Sequence, residues 1–508
     1  MNLSDIVTNN AKERPWSIAL IDTETDEKFT YSELDVIINR VGNALKEMGV
    51  TKGDRVALYL PNSKEFIMTH YALARIGAIS VPFNVIYKSR EIEYILNNAK
   101  PKVLFGAAKE VEANVVPLLA GSPFLEKIIT LGESNVPGAI NFASIIANGK
   151  DKLDTLNLEP TDTVSILYTS GTTGNPKGAM LTHSNYIKNA FLMGNDVLTI
   201  NDEDIFYTHT PYPHIFYVFC VLGAMSAGAA LVVSPRFVTE NALNNISKYK
   251  VTHYAGVPTM YIFMLNEFTA EKYDVSSLRF AQAAGASMPE EHIQKIEDTF
   301  GVNYIECYGS TESSTTVTYT RVGHKRIGSV GRVAPGWECK LIDENDQDIL
   351  AADEVGELCI KGQGLFKGYW DMPEATEKAF IGDGWFKTGD MCRRDEDGFY
   401  FIVDRKNDLL LVGGYNVYPR EIEEVLYTNP KILEAVVIGV KDLARGELPK
   451  AYVTLKEGVS AEGTEFVAYC KERMAGYKVP TSVEIVPELP KNPTGKILKR
   501  IIRDEWNK

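Results

Sequence analysis

At 508 residues the chain is too long for one hydrophobic core, so roughly two to four structural units are expected. Hydrophobic residues make up 45% and charged residues 24%, which excludes a largely disordered chain. The balance of basic and acidic side chains, 53 − 67 = −14, gives an acidic surface that repels phosphate backbones and anionic headgroups, so nucleic acid and membrane surfaces are poor partners.

The first residues, MNLSDIVTNNAKERPW, lack the apolar core of a secretory signal. No stretch approaches the ~18 unbroken apolar residues of a membrane span. The nearest, around 215–233, is interrupted by glycines. Six cysteines (Cys220, Cys307, Cys339, Cys359, Cys392 and Cys470) are scattered singly, without a Cys-x-x-Cys pair. That pattern suggests neither a disulfide framework nor a zinc site, and a reducing, cytoplasmic location is expected.

In chain order, YSELDVIINRVGNALKEMGV spaces Leu34, Ile37, Ile38, Val41 and Leu45 at helical intervals, and DRVALYL reads as a short buried strand. EFIMTHYALARIGA is a second helix, while AISVPFN, PKVLFG, KIITL, AALVVSP and THYAGVP all read as strands. This alternation over the first ~320 residues predicts an α/β architecture with parallel-rich sheets. From about 322 to 404 short β segments with frequent glycines (WECKLID, GELCIKG, FYFIVD) predict a small antiparallel β unit. The last hundred residues are mixed, with strands EAVVIGVKD and KAYVTLKEG and a helix in AEGTEFVAYCKERMA. The expected division is an N-terminal domain over 1–404, a hinge at 405–408 and a C-terminal α+β domain over 409–508.

Between two apolar runs lies YTSGTTGNPKG, residues 168–178. A glycine-rich loop after a strand exposes several backbone N–H groups to one anion; serine and threonine hydroxyls add donors, and Lys177 adds a charge. It is neither a Walker A loop, since Lys177 lies between Pro176 and Gly178, nor a G-x-G-x-x-G fingerprint. By composition alone it is equally an ordinary surface loop. Further along stand AAGAS (283–287), YGSTE (308–312), GWFKTGD (384–390), DRKNDLLLVGGYNVYPREIE (404–423) and LPKNPTGKILKR (489–500). Each alone fits a cap, a turn or a solvated charged run.

Taken together and in this order, these segments resemble the motifs of the adenylate-forming superfamily, which contains acyl-CoA synthetases, peptide-synthetase adenylation domains and beetle luciferases. The resemblance covers essentially the whole chain and looks closest to bacterial and archaeal fatty acid–CoA ligases. It implies a large N-terminal domain of two α/β subdomains plus a small antiparallel β-barrel, with a smaller mobile C-terminal domain. It also implies an ATP-dependent ligase that makes acyl-CoA through an acyl-adenylate, using ATP, Mg²⁺ and CoA.

By the same resemblance Thr169, Ser170, Gly171, Thr172, Thr173 and Gly174 would cradle the ATP phosphates with Lys177. Gly285, Ala286, Ser287, Tyr308, Gly309 and Ile402 would line the nucleotide, Thr311 would bind a phosphate oxygen, and Glu312 would hold Mg²⁺. Asp390 and Arg405 would bind ribose, Lys496 would be the adenylation lysine, and Asn407 falls at the hinge, where the family more often has Asp or Lys. His214 would separate the acyl pocket from the CoA tunnel, although a histidine beside aromatics also fits a packed core. Gly413, Gly414, Tyr415, Tyr477 and Lys478 would contact CoA; Val479 stands where a basic residue is frequent.

Ala284, beside Gly285, replaces a frequent glycine next to the acyl chain, and Tyr217 replaces a frequent small residue. Both take volume, which favours a short- or medium-chain fatty acid, with long chains left open. Cys307 rather than arginine before Tyr308 argues against a malonate-type acid. An aryl-acid CoA ligase shares every motif; an adenylation enzyme serving a carrier protein, a non-catalytic ATP sensor and a luciferase-like oxidase are more distant alternatives. The partners expected are small molecules, and a homodimer is one oligomeric option.

Overall fold

A computed structural model describes residues 1–506 apart from 155, 170–175, 284–287, 289, 443–444 and 493–494. The helices begin and end where local chemistry directs. Thr30 and Glu33 form a reciprocal capping box at the start of Tyr31–Glu47, with Thr30 N–H donating to Glu33 Oε2 at 2.8 Å. That helix buries Leu34, Ile37, Ile38, Val41 and Leu45 on one face. Ser63 caps Lys64–Ile76, which stops at Gly77 in the left-handed conformation, φ 72°.

Two large sheets form the N-terminal body. One has eight strands in the order Gly368–Tyr369, Lys177–Thr182, Thr163–Thr169, Ile79–Pro82, Arg55–Tyr59, Val103–Ala107, Lys127–Leu131 and Ile140–Asn141. From Thr163–Thr169 onward its neighbours run parallel, as expected of strands joined by helices. The first two pairs are antiparallel. The second sheet has seven strands: Asn303–Ile305, Phe280–Ala283, His253–Gly256, Ile205–Thr208, Ala230–Val233, Ile18–Asp22 and Lys28–Thr30. All but the last pair are parallel. The main core runs through both sheets and the helices between them.

The antiparallel part differs in extent from the expectation. Its six-stranded sheet starts at Trp337 and ends at Arg405. Residues 322–331 hold no strand, and Arg332–Val333 instead joins a separate three-stranded antiparallel sheet with Cys307–Ser310 and Thr315–Tyr319. Glycine-rich turns look alike in sequence, so the change of sheet at Gly336 leaves no periodicity signal.

The C-terminal unit is a five-stranded sheet with the helices Pro419–Tyr427 and Gly463–Lys471 packed on it. Its core, including Leu410, Val417, Ile422, Val437, Val453 and Phe466, is separate from the main one. A second small core, Val436, Ile438, Tyr452, Leu489 and Ile502, fastens the terminal segment to the strands Ile432–Asp442 and Gly446–Leu455.

Gly331 is a tight joint immediately before the strand Arg332–Val333 of the three-stranded sheet. It sits at φ 83°, and an added Cβ would lie 1.9 Å from the Tyr319 carbonyl oxygen. Gly331→Ala therefore combines left-handed strain with a backbone clash and is expected to cost about 3 kcal/mol or more. Urea unfolding of the variant checks this; a midpoint unchanged from wild type contradicts it.

Candidate active site

The chain from Thr163–Thr169 to Lys177–Thr182 is a hairpin, with Thr169 opposite Lys177 and Tyr168 opposite Gly178. Thr169 closes it weakly, its Oγ1 lying 3.5 Å from the Lys177 carbonyl oxygen. Ser170, Gly171, Thr172, Thr173 and Gly174 lie outside the described residues, as do Ala284, Gly285, Ala286 and Ser287.

Lys177 opens the return strand and projects over the ring of Tyr369, with Nζ 4.9 Å from the centroid. Tyr369 arrives on the two-residue strand Gly368–Tyr369, paired with Met180 and Ala179. Its hydroxyl donates to Glu312 Oε1 at 3.0 Å, and the Phe366 N–H donates to the Glu312 carbonyl at 2.8 Å. One phenol thus brings together a cation and a carboxylate about 135 residues apart in sequence.

Thr311 and Glu312 occupy the turn between Cys307–Ser310 and Thr315–Tyr319. The Thr311 carbonyl accepts from Ser314 N–H at 3.0 Å, and Ser313 Oγ accepts from Ser310 N–H at 2.8 Å. Ser314 and Thr315 are forced to φ 54° and 96°, a strain of the kind concentrated at functional sites. Gly309 is obligatory, because an added Cβ would lie 1.5 Å from the Thr315 carbonyl oxygen.

Asp390 is only 4% exposed; its Oδ2 accepts from Tyr308 Oη at 2.5 Å, and its Oδ1 forms an ion pair with Arg405 Nε at 2.9 Å. Asp390 and Arg405 are register partners on adjacent strands. Burial, and then the Asp390 charge, push the Tyr308 hydroxyl well above the usual tyrosine range. Thr388 supports the group: its Oγ1 accepts from Asp390 N–H at 3.1 Å, and its carbonyl lies 3.5 Å from Arg405 Nη1.

Lys496 keeps an exposed surface although protein crowds around it. Burial, and then the Arg405 charge, lower its pKa; Asp390 and Asp408 oppose the shift. Burial, and then the Lys496 charge, hold His214 down at about 4, so its imidazole is neutral at ordinary pH. Lys496 therefore interacts with both the Asp390–Arg405 pair and His214. The Asn492 side chain accepts its backbone N–H at 2.9 Å. An added Cβ on the preceding Gly495 would meet Val257 at 3.4 Å and Thr259 at 3.7 Å, so this loop touches the start of helix Pro258–Glu267.

The connection between the bodies is polar. Arg405 ends its strand and Lys406–Asp408, which contains Asn407, forms a 3₁₀ turn. Asp408 pairs with Arg503 and Lys406 with Glu357 at 2.6 Å. Arg420 donates its backbone N–H to Asp404 and Nη1 to the Ile402 carbonyl, both at 2.9 Å.

The other expected positions divide. His214 Nδ1 accepts from Phe216 N–H at 3.3 Å. Tyr217 is directed into an aromatic cluster, its ring 5.1 Å from His70 and 5.5 Å from both Phe66 and Tyr212. Gly413 and Gly414 (φ 57° and 86°) turn the hairpin that ends in Tyr415, whose ring is 60% exposed and stacks on Tyr477 at 4.7 Å. Lys478 pairs with Glu421 at 2.6 Å.

Among the described residues no three His, Cys, Asp or Glu side chains gather as a metal cluster. Mg²⁺, however, is commonly held by one or two carboxylates together with substrate phosphates, and Glu312, positioned by Tyr369, fits that use. No helix among the described residues is long and apolar enough to cross a membrane.

The candidate site comprises the hairpin of Thr163–Thr169 with Lys177–Thr182, the buried Asp390–Arg405 pair and Lys496 of the C-terminal unit. Residues 7–370 match the AMP-binding enzyme family, and 421–496 match the AMP-binding enzyme C-terminal domain. The chain is 34% identical over 531 residues to a long-chain-fatty-acid–CoA ligase of Bacillus subtilis (strain 168), covering 99% of this chain and 94% of that protein. It is 35% identical over 485 residues to a crotonobetaine/carnitine–CoA ligase of Salmonella typhimurium (strain LT2), covering 94% and 93%. It superposes on the anthranilate CoA ligase AuaEII, crystallised with anthranoyl-AMP, with a TM-score of 0.93 at 32% identity, covering 99% of this chain and 96% of that one. The chain belongs to the AMP-binding enzyme family, within the adenylate-forming superfamily. Within that family it is an AMP-forming acid–thiol ligase, of the acyl- or aryl-CoA ligase type.

Tyr369 lies in none of the segments singled out in the sequence; only its pairing across distant strands reveals it. Thr388 lies within GWFKTGD, but its contacts with Asp390 and Arg405 come from the structure. Tyr369→Phe keeps the ring under Lys177 but removes the bond to Glu312. The expected outcome is an apparent KM for Mg·ATP raised about tenfold, with thermal stability preserved. Steady-state kinetics over ATP concentration check it, and an unchanged KM speaks against the role.

Proposed function

We propose that the chain joins a short- to medium-chain fatty acid to CoA in two steps. The observation that carries this reading is the position of Lys496, which interacts with Arg405 and Asp390 on one side and His214 on the other. On this reading a cation there would act on both the nucleotide and the acid. In the first step a carboxylate oxygen attacks the α-phosphorus of ATP, an O–P bond forms, and the bond to the β-phosphate oxygen breaks with release of pyrophosphate. Two anions must approach, so preorganised positive charge supplies much of the rate.

Lys496 would bridge the carboxylate and the α-phosphate, and Tyr308, Asp390 and Arg405 would hold the nucleoside. Lys177, Thr311 and the hairpin residues 169–174 would take the departing pyrophosphate. Glu312 would hold Mg²⁺, which when bound neutralises phosphate charge. In the second step the CoA sulfur attacks the acyl carbon and AMP leaves with the bonding pair. Residues 405–408, with Asn407 at the turning point, would let the C-terminal unit exchange Lys496 for a thiol path beside Gly413 and Gly414. Tyr415, Tyr477 and Lys478 would meet the CoA nucleotide, and neutral His214 would separate acid from thiol.

Lys496→Ala is expected to lower acyl-AMP formation by on the order of 10²–10³ while supplied acyl-AMP is still converted to thioester. Equal loss of both half-reactions overturns the exchange. Because the Lys496 pKa is lowered, its charge is lost at lower pH than that of an ordinary lysine. The alkaline limb of kcat/KM for ATP should therefore fall early, and Lys496→Arg should move that limb upward.

For the acid, Tyr217 fixed against Phe66, His70 and Tyr212 supports a pocket of limited volume. The aryl alternative is supported by the likeness to the anthranilate ligase. Pyrophosphate release over C4 to C18 and aryl acids, with and without CoA, separates them. The expected maximum is at C10 or below; a maximum at C16 or above overturns the volume argument, and preference for aryl acids establishes the alternative.

A further inference from the structure

A cavity of ≈ 250 Å³ is lined by Tyr319, Arg321, His324, Arg332 and Phe399. Tyr319 and Arg332 are register partners, while Tyr308 pairs with Thr318 one residue earlier. Side chains alternate along a strand, so the cavity lies on the opposite face of the three-stranded sheet from Tyr308. It is not part of the site described above.

Its charge is unbalanced. The neighbouring cations are neutralised: Arg326 pairs with Asp395 and, at 2.6 Å, with Asp397, and Lys325 pairs with Glu297. Neither Arg321 nor Arg332 has a carboxylate partner among the described residues, and no carboxylate lines the cavity. Two unopposed guanidinium groups and an imidazole therefore meet in one hollow of a protein whose net charge is −14. Fixed like charges in a concave site raise the local concentration of anions.

The hollow is also shaped. Tyr319 and Phe399 are 4% and 7% exposed and form rigid walls. Arg321 lies over Tyr319 at 5.4 Å and Arg332 over Phe399 at 4.4 Å, so both planar heads are stacked in place before any ligand arrives. His324 is brought back toward Arg321 by a turn closed by its N–H to the Arg321 carbonyl, 2.9 Å, with Gly323 at φ 76°. Preorganised guanidinium forks favour the bidentate oxygens of a phosphate. A volume below the ~300–1,000 Å³ of pockets that enclose whole ligands suits one end of a molecule that carries it.

We infer that this cavity is a second ligand site, one that takes a phosphomonoester group through Arg321, Arg332 and His324. That chemistry has two sources in the reaction mixture, the 3′-phosphorylated end of CoA and a free nucleotide.

The test is calorimetric titration of the full chain with adenosine 3′,5′-bisphosphate, comparing wild type with Arg321→Ala/Arg332→Ala and with the milder Arg321→Gln/Arg332→Gln. The expected result is binding at least about tenfold weaker in both double variants, with ATP-dependent pyrophosphate release and melting temperature retained. No binding to wild type, or equal binding to folded variants, overturns the inference. Its source is read from kinetics. A raised KM for CoA with an unchanged KM for 3′-dephospho-CoA assigns the site to CoA; unchanged KM values for both, with the titration difference intact, assign it to a free nucleotide. Loss of pyrophosphate release in wild type bears on the ligase reading alone.

Discussion

The arrangement depends on one buried carboxylate. Asp390 accepts from Tyr308 and pairs with Arg405, and a carboxyl group so deeply buried is tolerated only when its oxygens find partners. The requirement ties three strands together: the one bearing Tyr308, the one bearing Asp390, and the one that ends in Arg405 and leads to the C-terminal unit. The same pairing orients the Arg405 guanidinium, whose charge acts on Lys496. A constraint on burial in one body thus reaches the chemistry delivered by the other.

Around this pair the charges are graded. Lys496 stands beside another cation and loses part of its hold on its proton, an environment that a polyanion would relieve. Lys177 is held over a ring and Glu312 by a phenol, so neither is neutralised by direct pairing with the other. Across the junction the contacts are hydrogen bonds and ion pairs, Arg420 to Asp404 and Ile402 and Arg503 to Asp408, which water can replace at small cost.

Much of this was legible in the sequence. Alternating helices and buried strands gave away the two parallel-rich sheets, and ordered motifs pointed to Asp390, Arg405, Tyr308 and Lys496. What escaped was set by long-range pairing. Tyr369 sits on a two-residue strand, too short for any periodicity, and its partners Ala179 and Glu312 are 190 and 57 residues away. The glycines of 322–331 resembled those of the following sheet, so the strand Arg332–Val333 could not be assigned to its true neighbour. The packing of the Tyr217 ring with Phe66, His70 and Tyr212 likewise joins residues distant in sequence and leaves no local signal.

The C-terminal unit has cores of its own, closed around Leu410, Val437 and Phe466 on one face and Ile438, Tyr452 and Ile502 on the other. Separate hydrophobic cores of this kind are where a single two-state unfolding transition ceases to describe a whole chain. Substitutions inside one of these cores leave the packing of the other untouched, so changes in the two bodies can accumulate independently.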